Sequence, residues 1–509
     1  MNKKFNSLRS LFLLIFFALL GFFVVILAPQ QLGSGPDSFA YVSAARSFAD
    51  GNGLRSVTWD GGTEIMTHFP PLYSLMLSGL GLGTAPVLIA KWLNALAFAG
   101  SIFLIGLILR ELTERMAVGL AGAFIFLTSE TALNTHFNIW TEALFVFLLL
   151  LTVYYLGQYG QSTAKQWHRH GFLVLTATFA GLAVLTRYVG AAVIGITALV
   201  ILIWAPLPWW KRVKDAVLFV ILSSSPIFIW FVRNSLVADS VANRVLAYHA
   251  IQWLDIVDAV YSFGLWLLPG VKETFAAGII FWILLVSAIV GKRPFRQSVS
   301  ITFVWCILFV FGYLGFLVFS ISFIDAHTPL NYRILFPVYV ISIIILLAGF
   351  ANLLPQIQKI PFVRLLPLAA LLVYLILNVI AGQRMMRLFY KFGQGYTDVL
   401  WQDSELMTQT FLLAENATIY TNVPDAFYFA REEIASGVPI KVYATSMQKN
   451  TAFDDEVREM LDMMANHEAV LVYFNRIYRW YLPTEEELAQ IAPLTVFFEN
   501  EEGAIYIIP

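Results

Sequence analysis

The chain has 509 residues, 59% of them hydrophobic and 13% charged, with mean hydropathy +0.73 and a formal net charge of −1. A soluble protein of this length would be several domains with about twice that charged fraction, so a water-soluble fold is excluded. The lone cysteine, Cys306, rules out an intrachain disulfide and any multi-cysteine zinc site.

Runs of about 17 or more apolar residues, enough to cross a bilayer, begin near residues 11–28. That run follows Lys3, Lys4 and Arg9, and no small-x-small site follows LAPQQLGSG, so the reading is an uncleaved first span. A long loop, residues 29–85, comes next. Its DSFAYVSAARSFADGNG has the pattern of a short amphipathic helix, with Asp37 in the N-cap position and Gly51 and Gly53 as the stop. Pro70–Pro71 in HFPPLYSLML forces a turn before an apolar re-entrant or interfacial helix.

Further apolar segments lie near 86–109, 117–135, 140–157, 171–187, 188–205 and 216–232. A second long loop, 233–273, contains RNSLVADSVANR and the amphipathic AYHAIQWLDIVDAVYSFGLWLLPG, whose tryptophans and tyrosines suit the headgroup level. Segments near 274–291, 299–320, 334–351 and 365–381 bring the total to about eleven spans. Composition changes after Ala381. Residues 382–509 hold 19 acidic and 9 basic residues, and β-prone runs (ATIYTN, EAVLVYFN, LTVFFEN, AIYIIP) alternate with polar helical stretches. The expected architecture is a polytopic α-helical membrane domain, residues 1–381, followed by a small α/β domain, residues 382–509.

Charge placement orients the chain. With the N-terminus inside, 15 basic residues fall in inner segments (Lys3, Lys4, Arg9, Arg110, Arg115, Lys165, Arg169, Lys211, Arg212, Lys214, Lys292, Arg293, Arg296, Lys359, Arg364) and 8 on the outer side of the membrane region. An odd number of spans then places residues 382–509 outside, beside both long loops.

Three ionisable residues stand at the outer ends of apolar runs: Glu142 in TEALFVFLLL, Arg187 in GLAVLTRYVG and Arg333 in NYRILFPVY. Charge near hydrocarbon is costly, which marks each as a functional candidate. Asp37 adds a carboxylate at the same interface. The plain alternatives are an N-cap for Asp37, favourable helix-start placement for Glu142, an interfacial anchor for Arg187, and a pair between Arg333 and Asp325. The histidines assigned to the outer side (His68, His136, His249, His327 and His467) could join carboxylates around a divalent cation, although no HxxxH or HxH spacing occurs there. His168 and His170 read as a solvated basic turn inside. GxxxxGK[ST] and GxGxxG loops are absent, which argues against nucleotide chemistry, and no nucleic-acid partner is expected.

The ordered set DSFAYVSAARSFADGNG, HFPPLYSLML, NIWTEALFVFLLL, GLAVLTRYVG, an RN…NR loop and NYRILFPVY resembles the GT-C superfamily of integral-membrane glycosyltransferases. Within it the resemblance is to bacterial relatives of the dolichyl-phosphate-mannose–protein mannosyltransferases and the lipid A aminoarabinose transferase. It spans most of residues 10–381. The resemblance implies transfer of a hexose or pentose from a polyprenyl-phosphate donor to a lipid, glycan or protein hydroxyl on the outer face of the cytoplasmic membrane. It implies Asp37 and Glu142 as catalytic acids, with Arg187 or Arg333 on the carrier phosphate. Tyr41, His68, Tyr188, Arg233 and Arg244 are further candidates for substrate binding. No cofactor is certain, and a divalent cation could take part. The competing classes are a transporter or flippase of lipid-linked sugars, and an oligosaccharide polymerase or ligase.

Overall fold

The computed structural model describes residues 2–81, 85–161, 166–238, 240–244, 246–272, 274–291, 300–357, 365–413 and 417–509. Lys165, Asp239, Glu273, Lys292, Arg293, Arg296, Lys359 and Arg364 lie outside the described residues.

In hydrocarbon every backbone N–H and C=O must be paired within its own segment, so the apolar runs are helical. α1 (Asn2–Ile26) leads into the first long loop, which carries α2 (Pro36–Ala49), a hairpin of β1 (Arg55–Val57) and β2 (Thr63–Ile65), and α3 (Leu72–Leu77). Then come α4 (Pro86–Thr113), α5 (Met116–Thr128), α6 (Glu130–His136), α7 (Thr141–Gln161), α8 (Gln166–Thr186), α9 (Gly190–Trp204) and α10 (Trp209–Val237). The second long loop contains α11 (Trp253–Leu267), and α12 (Phe275–Gly291), α13 (Ile301–Phe323), α14 (Phe336–Ile357) and α15 (Leu366–Phe392) complete the helical region. All eleven expected apolar segments are helical. Among the described residues, eight of these helices are long and apolar enough to cross a bilayer, and α5 with α6 makes a ninth span if counted as one. α9 and α12 are apolar but shorter.

The run expected near 117–135 is not one straight helix. α5 and α6 meet at an angle of 59°. Ser129 has extended backbone there and its Oγ accepts from Ala132 N, starting a new helix. The Ile125 carbonyl, which an unbroken helix would pair with residue 129, receives Asn378 Nδ2 of α15 at 2.8 Å instead. The second loop also differs from expectation. Its amphipathic helix begins at Trp253, and His249 lies before it in irregular chain, its N–H donating to Ser322 O.

α15 carries the chain straight into the tail. There follow α16 (Val399–Gln402), α17 (Glu405–Leu413), β3 (Thr418–Thr421), α18 (Pro424–Arg431), β4 (Ser436–Gly437), a small hairpin of β5 (Val442–Tyr443) and β6 (Gln448–Lys449), α19 (Phe453–Ala465), β7 (Ala469–Phe474), α20 (Glu485–Ala489), β8 (Thr495–Asn500) and β9 (Gly503–Ile507). Five strands form one sheet in the order β4-β3-β7-β9-β8. β3 runs parallel to β4 and β7, while β9 is antiparallel to β7 and β8. Alternation along β7 serves two cores: Val470, Val472 and Phe474 pack with Phe427 and Ile505, and Ala469 and Leu471 pack with Met460 and Leu461 of α19.

Candidate active site

Asp37 enters the site from α2. Gly35 is the N-cap and Pro36 the first helical residue, where its missing N–H costs nothing. The expectation that Asp37 caps this helix is therefore corrected. Ser38 makes the local bonds, with Oγ accepting from Gly35 N at 3.1 Å and donating to Ile139 O at 2.9 Å. The Asp37 carboxylate is left to reach across the structure. Gly51 and Gly53, both at positive φ, follow the helix end as expected.

Glu142 lies in the first turn of α7 and is buried between two guanidinium groups. Arg187 Nη1 is 2.5 Å and Arg333 Nε 2.7 Å from its Oε1. Arg333 Nη2 pairs with Asp37 Oδ2, so one arginine joins both carboxylates. The Arg333 guanidinium also lies 4.5 Å from the centre of the Trp140 ring, and Arg187 Nη1 donates to Thr141 Oγ1 at 3.0 Å. Trp140 and Thr141 were not singled out from sequence. Their adjacency to Glu142 in NIWTEALF was the available signal.

Arg333 does not pair with Asp325. Arg244 takes that partner, and Arg333 turns inward to the start of α7. Four charged groups, two from α2 and α7 and two from the turns after α8 and before α14, thus form one neutral quartet: Asp37, Glu142, Arg187 and Arg333. Access is uneven. Side-chain exposure is 35% for Asp37, 19% for Arg333, 17% for Arg187 and 1% for Glu142, so Asp37 is the carboxylate a substrate can reach. Burial raises the Asp37 pKa, but Arg333 outweighs it, helped by Arg187 and His68, and the group is held below the ordinary aspartate value.

The remaining candidates are held by other partners. Tyr188 donates to Thr67 O at 2.8 Å and accepts from Trp230 Nε1 at 3.2 Å. Arg233 stacks on Trp230 and donates to Asn234 Oδ1 at 3.0 Å. Tyr41 is buried against Phe69 and Tyr73. Burial and then Arg244 push the His68 pKa down to about 4, against the pull of Asp325 and Asp37, so this ring feels both ion pairs. His136 is buried, tilted against Phe98 and bonded through Nδ1 to Ala132 O, which removes it from any outer-loop ligand set. His170 lies 3.8 Å from Asp215 at the start of α8, so the HxH stands on a helix and not in a turn.

Two cavities adjoin each other through Trp266 and Tyr339. The larger, about 480 Å³, is apolar and lies among α5, α11, α12, α14 and α15. The smaller, about 300 Å³, is of mixed character, with Glu130, Asn134, Tyr332 and Gln394 among apolar residues in its wall. Among the described residues no three His, Cys, Asp or Glu side chains gather as metal ligands. Asp37 and Glu142 already hold guanidinium groups, so a divalent cation would have to displace an arginine, and the donor set does not fit one.

Residues 36–239 match the family model described as dolichyl-phosphate-mannose–protein mannosyltransferase. That match is less than half of the chain; it includes Asp37, Glu142 and Arg187 and stops short of Arg333. No curated protein sequence matches. Among solved structures, ArnT from Cupriavidus metallidurans in the apo state superimposes with a TM-score of 0.61 at 12% identity, covering 98% of each chain. The same protein bound to undecaprenyl phosphate gives 0.60 at 15% identity, covering 97% of each chain. The oligosaccharyltransferase of Archaeoglobus fulgidus, in complex with Zn and sulfate, gives 0.57 at 11% identity over 98% of this chain and 74% of that one.

Proposed function

On this GT-C fold, we propose that the chain is a membrane glycosyltransferase that moves a hexose or pentose from a polyprenyl-phosphate donor to a hydroxyl of a lipid, glycan or protein. The outer face of the cytoplasmic membrane is the proposed side, supported by the excess of basic residues in the opposite loops. The observation that carries the reading is the quartet itself: an accessible carboxylate fixed beside two guanidinium groups at the ends of membrane helices. The similar structure bound to undecaprenyl phosphate and the family matched over residues 36–239 support a lipid-phosphate donor. The apolar cavity offers space for a lipid chain.

Each residue has a distinct task in this reading. Asp37 accepts the proton of the acceptor hydroxyl as that oxygen attacks the anomeric carbon. The bond from the anomeric carbon to the phosphate oxygen breaks with inversion, and the carrier phosphate leaves as an anion toward Arg333 and Arg187. Glu142 is too enclosed to meet substrate and holds both guanidinium groups in place, a revision of its expected catalytic part. Arg333 joins the two halves. An anion arriving at Arg333 draws it from Asp37, and the carboxylate's proton affinity rises toward that of a useful base.

Asp37→Asn tests this. It keeps volume and helix but removes the charge. Proteoliposomes supplied with a panel of undecaprenyl-phosphate hexoses and pentoses and a native lipid and glycan extract should show transfer reduced by about 10²-fold or more, with an unchanged melting profile. Turnover near that of the parent would remove Asp37 from the mechanism.

A further inference from the structure

The tail grips the helix that carries Asp37. Trp59 forms the tip of the β1–β2 hairpin and inserts into the α/β domain, donating from Nε1 to Val438 O at 2.8 Å and accepting from Gly437 N at 2.6 Å through its own carbonyl. Arg479 lies over the Trp59 ring at 4.8 Å. Arg479 Nη2 also reaches both oxygens of Asp425, at 2.8 and 3.0 Å, and Tyr396 OH at 2.9 Å.

Two further contacts run from the tail to the segment just before α2. Tyr396 N donates to Ser34 O at 3.1 Å, and Thr397 Oγ1 to Leu32 O at 2.8 Å, so residues 32–34 lie between the tail and the Phe137–Ile139 segment, to which Gly33 is also bonded. Gly395 permits this approach. It has φ +64°, and any Cβ there would collide with the Ser34 carbonyl. Farther along α2, Phe39 packs edge-on against Tyr428 of α18 at 5.0 Å, and Arg46 pairs with Glu432 at 2.9 Å while lying over the Tyr428 ring.

We propose that Trp59 and Arg479 are positioning residues, and that the α/β domain acts as a clasp fixing α2 so that Asp37 stays in register with Arg333. The proposal rests on the reading of Asp37 as base. The physical reason is that α2 is a 14-residue helix in a loop with no transmembrane segment of its own. Such a helix is placed only by what it packs against. Asp37 lies in its first turn, three residues beyond the segment the tail holds, so loosening the clasp displaces the carboxylate without removing it. A misplacement of about 1 Å from a change far from the chemistry can cost on the order of 10²-fold in rate.

The test uses the full chain in nanodiscs. Spin labels at Asp50→Cys, after the end of α2, and Glu114→Cys, after the far end of α4, report the helix position; Cys306 is buried in the bundle and does not compete. Trp59→Ala should broaden the distance distribution, while Trp59→Phe, which keeps an aromatic face for Arg479, should restore it. In the transfer assay Trp59→Ala should lower kcat by roughly 10-fold or more with donor KM within about twofold. If Trp59→Ala does not yield a monodisperse protein, Arg479→Lys gives the same readout, since it keeps charge but reduces stacking and shared hydrogen bonding. An unchanged distribution overturns the proposal whatever the activity, and so does a broadened one with normal kcat. Asp37→Asn run in parallel separates the two ideas: normal turnover there defeats the base and leaves the distance measurement to decide the clasp.

Discussion

Two arginine–carboxylate clusters in this molecule share their parts and differ in their closure. Arg479 with Asp425 and Arg333 with Asp37 and Glu142 each combine a guanidinium, a carboxylate and a tryptophan face. In the tail the pair is closed: side-chain exposure is 9% for Arg479 and 3% for Asp425, and Tyr396 fills the remaining contact. At the helix ends one guanidinium is divided between two carboxylates, one sealed and one a third exposed. The first arrangement is almost sealed from solvent. The second, neutral once Arg187 is counted with it, has an accessible rim, which suits a group that must exchange partners. The same three residue types therefore build a fastener in one place and the proposed reaction site in the other.

Removing Arg333 should break the comparison most severely on the side of chemistry. Arg333→Ala leaves Asp37 and Glu142 with one cation between them, and transfer should fall by about 10²–10³-fold. Arg333→Lys should recover little, because a point charge cannot bridge two carboxylates as a planar fork does. Steady-state transfer and binding of undecaprenyl phosphate together check this; parental rates in Arg333→Ala would make the arginine a mere anchor.

Asp425→Ala is the counterpart in the tail. It strands a buried guanidinium and should cost about 3–5 kcal/mol of stability, read as a lower melting temperature of the extramembrane part. Binding of undecaprenyl phosphate should persist at temperatures where the variant remains folded. A variant that melts like the parent would show that Tyr396 and Trp59 suffice to hold Arg479.

The smallest expected effect is a pH dependence at the rim. His68 has its folded pKa depressed to about 4 from an ordinary 6.5, so the unfolded chain binds more protons between those values. Stability from this residue is full above pH 6.5 and declines as pH falls toward 4. The value of about 4 already includes burial, the opposition of Arg244 and the pull of Asp325 and Asp37, so the slope between pH 6.5 and 4 is that of about one proton. His68→Gln should flatten the melting temperature between pH 4 and 6.5, and an unaltered slope would assign the dependence elsewhere.

Much of this was readable from one sequence, and the limits have a physical pattern. Hydropathy and period mark the apolar helices, α2, and four strands of the tail (β3, β7, β8 and β9), because each depends on residues close in the chain. Exact partners depend on how distant ends pack. The plain alternative for Arg333, a pair with nearby Asp325, is not the one formed; its partners Asp37 and Glu142 lie 296 and 191 residues away. The N-cap assignment of Asp37 failed for a local reason: Pro36 starts the helix one residue earlier. The break at Ser129 escaped notice because Asn378, which stabilises it, comes from α15. The β1–β2 hairpin was invisible because its three-residue strands are specified by the tail that receives Trp59, not by their own alternation.

α15 has 27 residues, about 40 Å of helix at 1.5 Å per residue, against a hydrocarbon layer of about 30 Å. Its surplus length emerges on the side of the tail as continuous helix. A rod of that kind responds to bilayer thickness by changing its tilt, and whatever is fixed to its end moves with it. Acyl-chain length in the surrounding membrane thus becomes a mechanical input: thinning or thickening the bilayer leans the rod, and through residues 394–397 the lean reaches the strand that feeds α2.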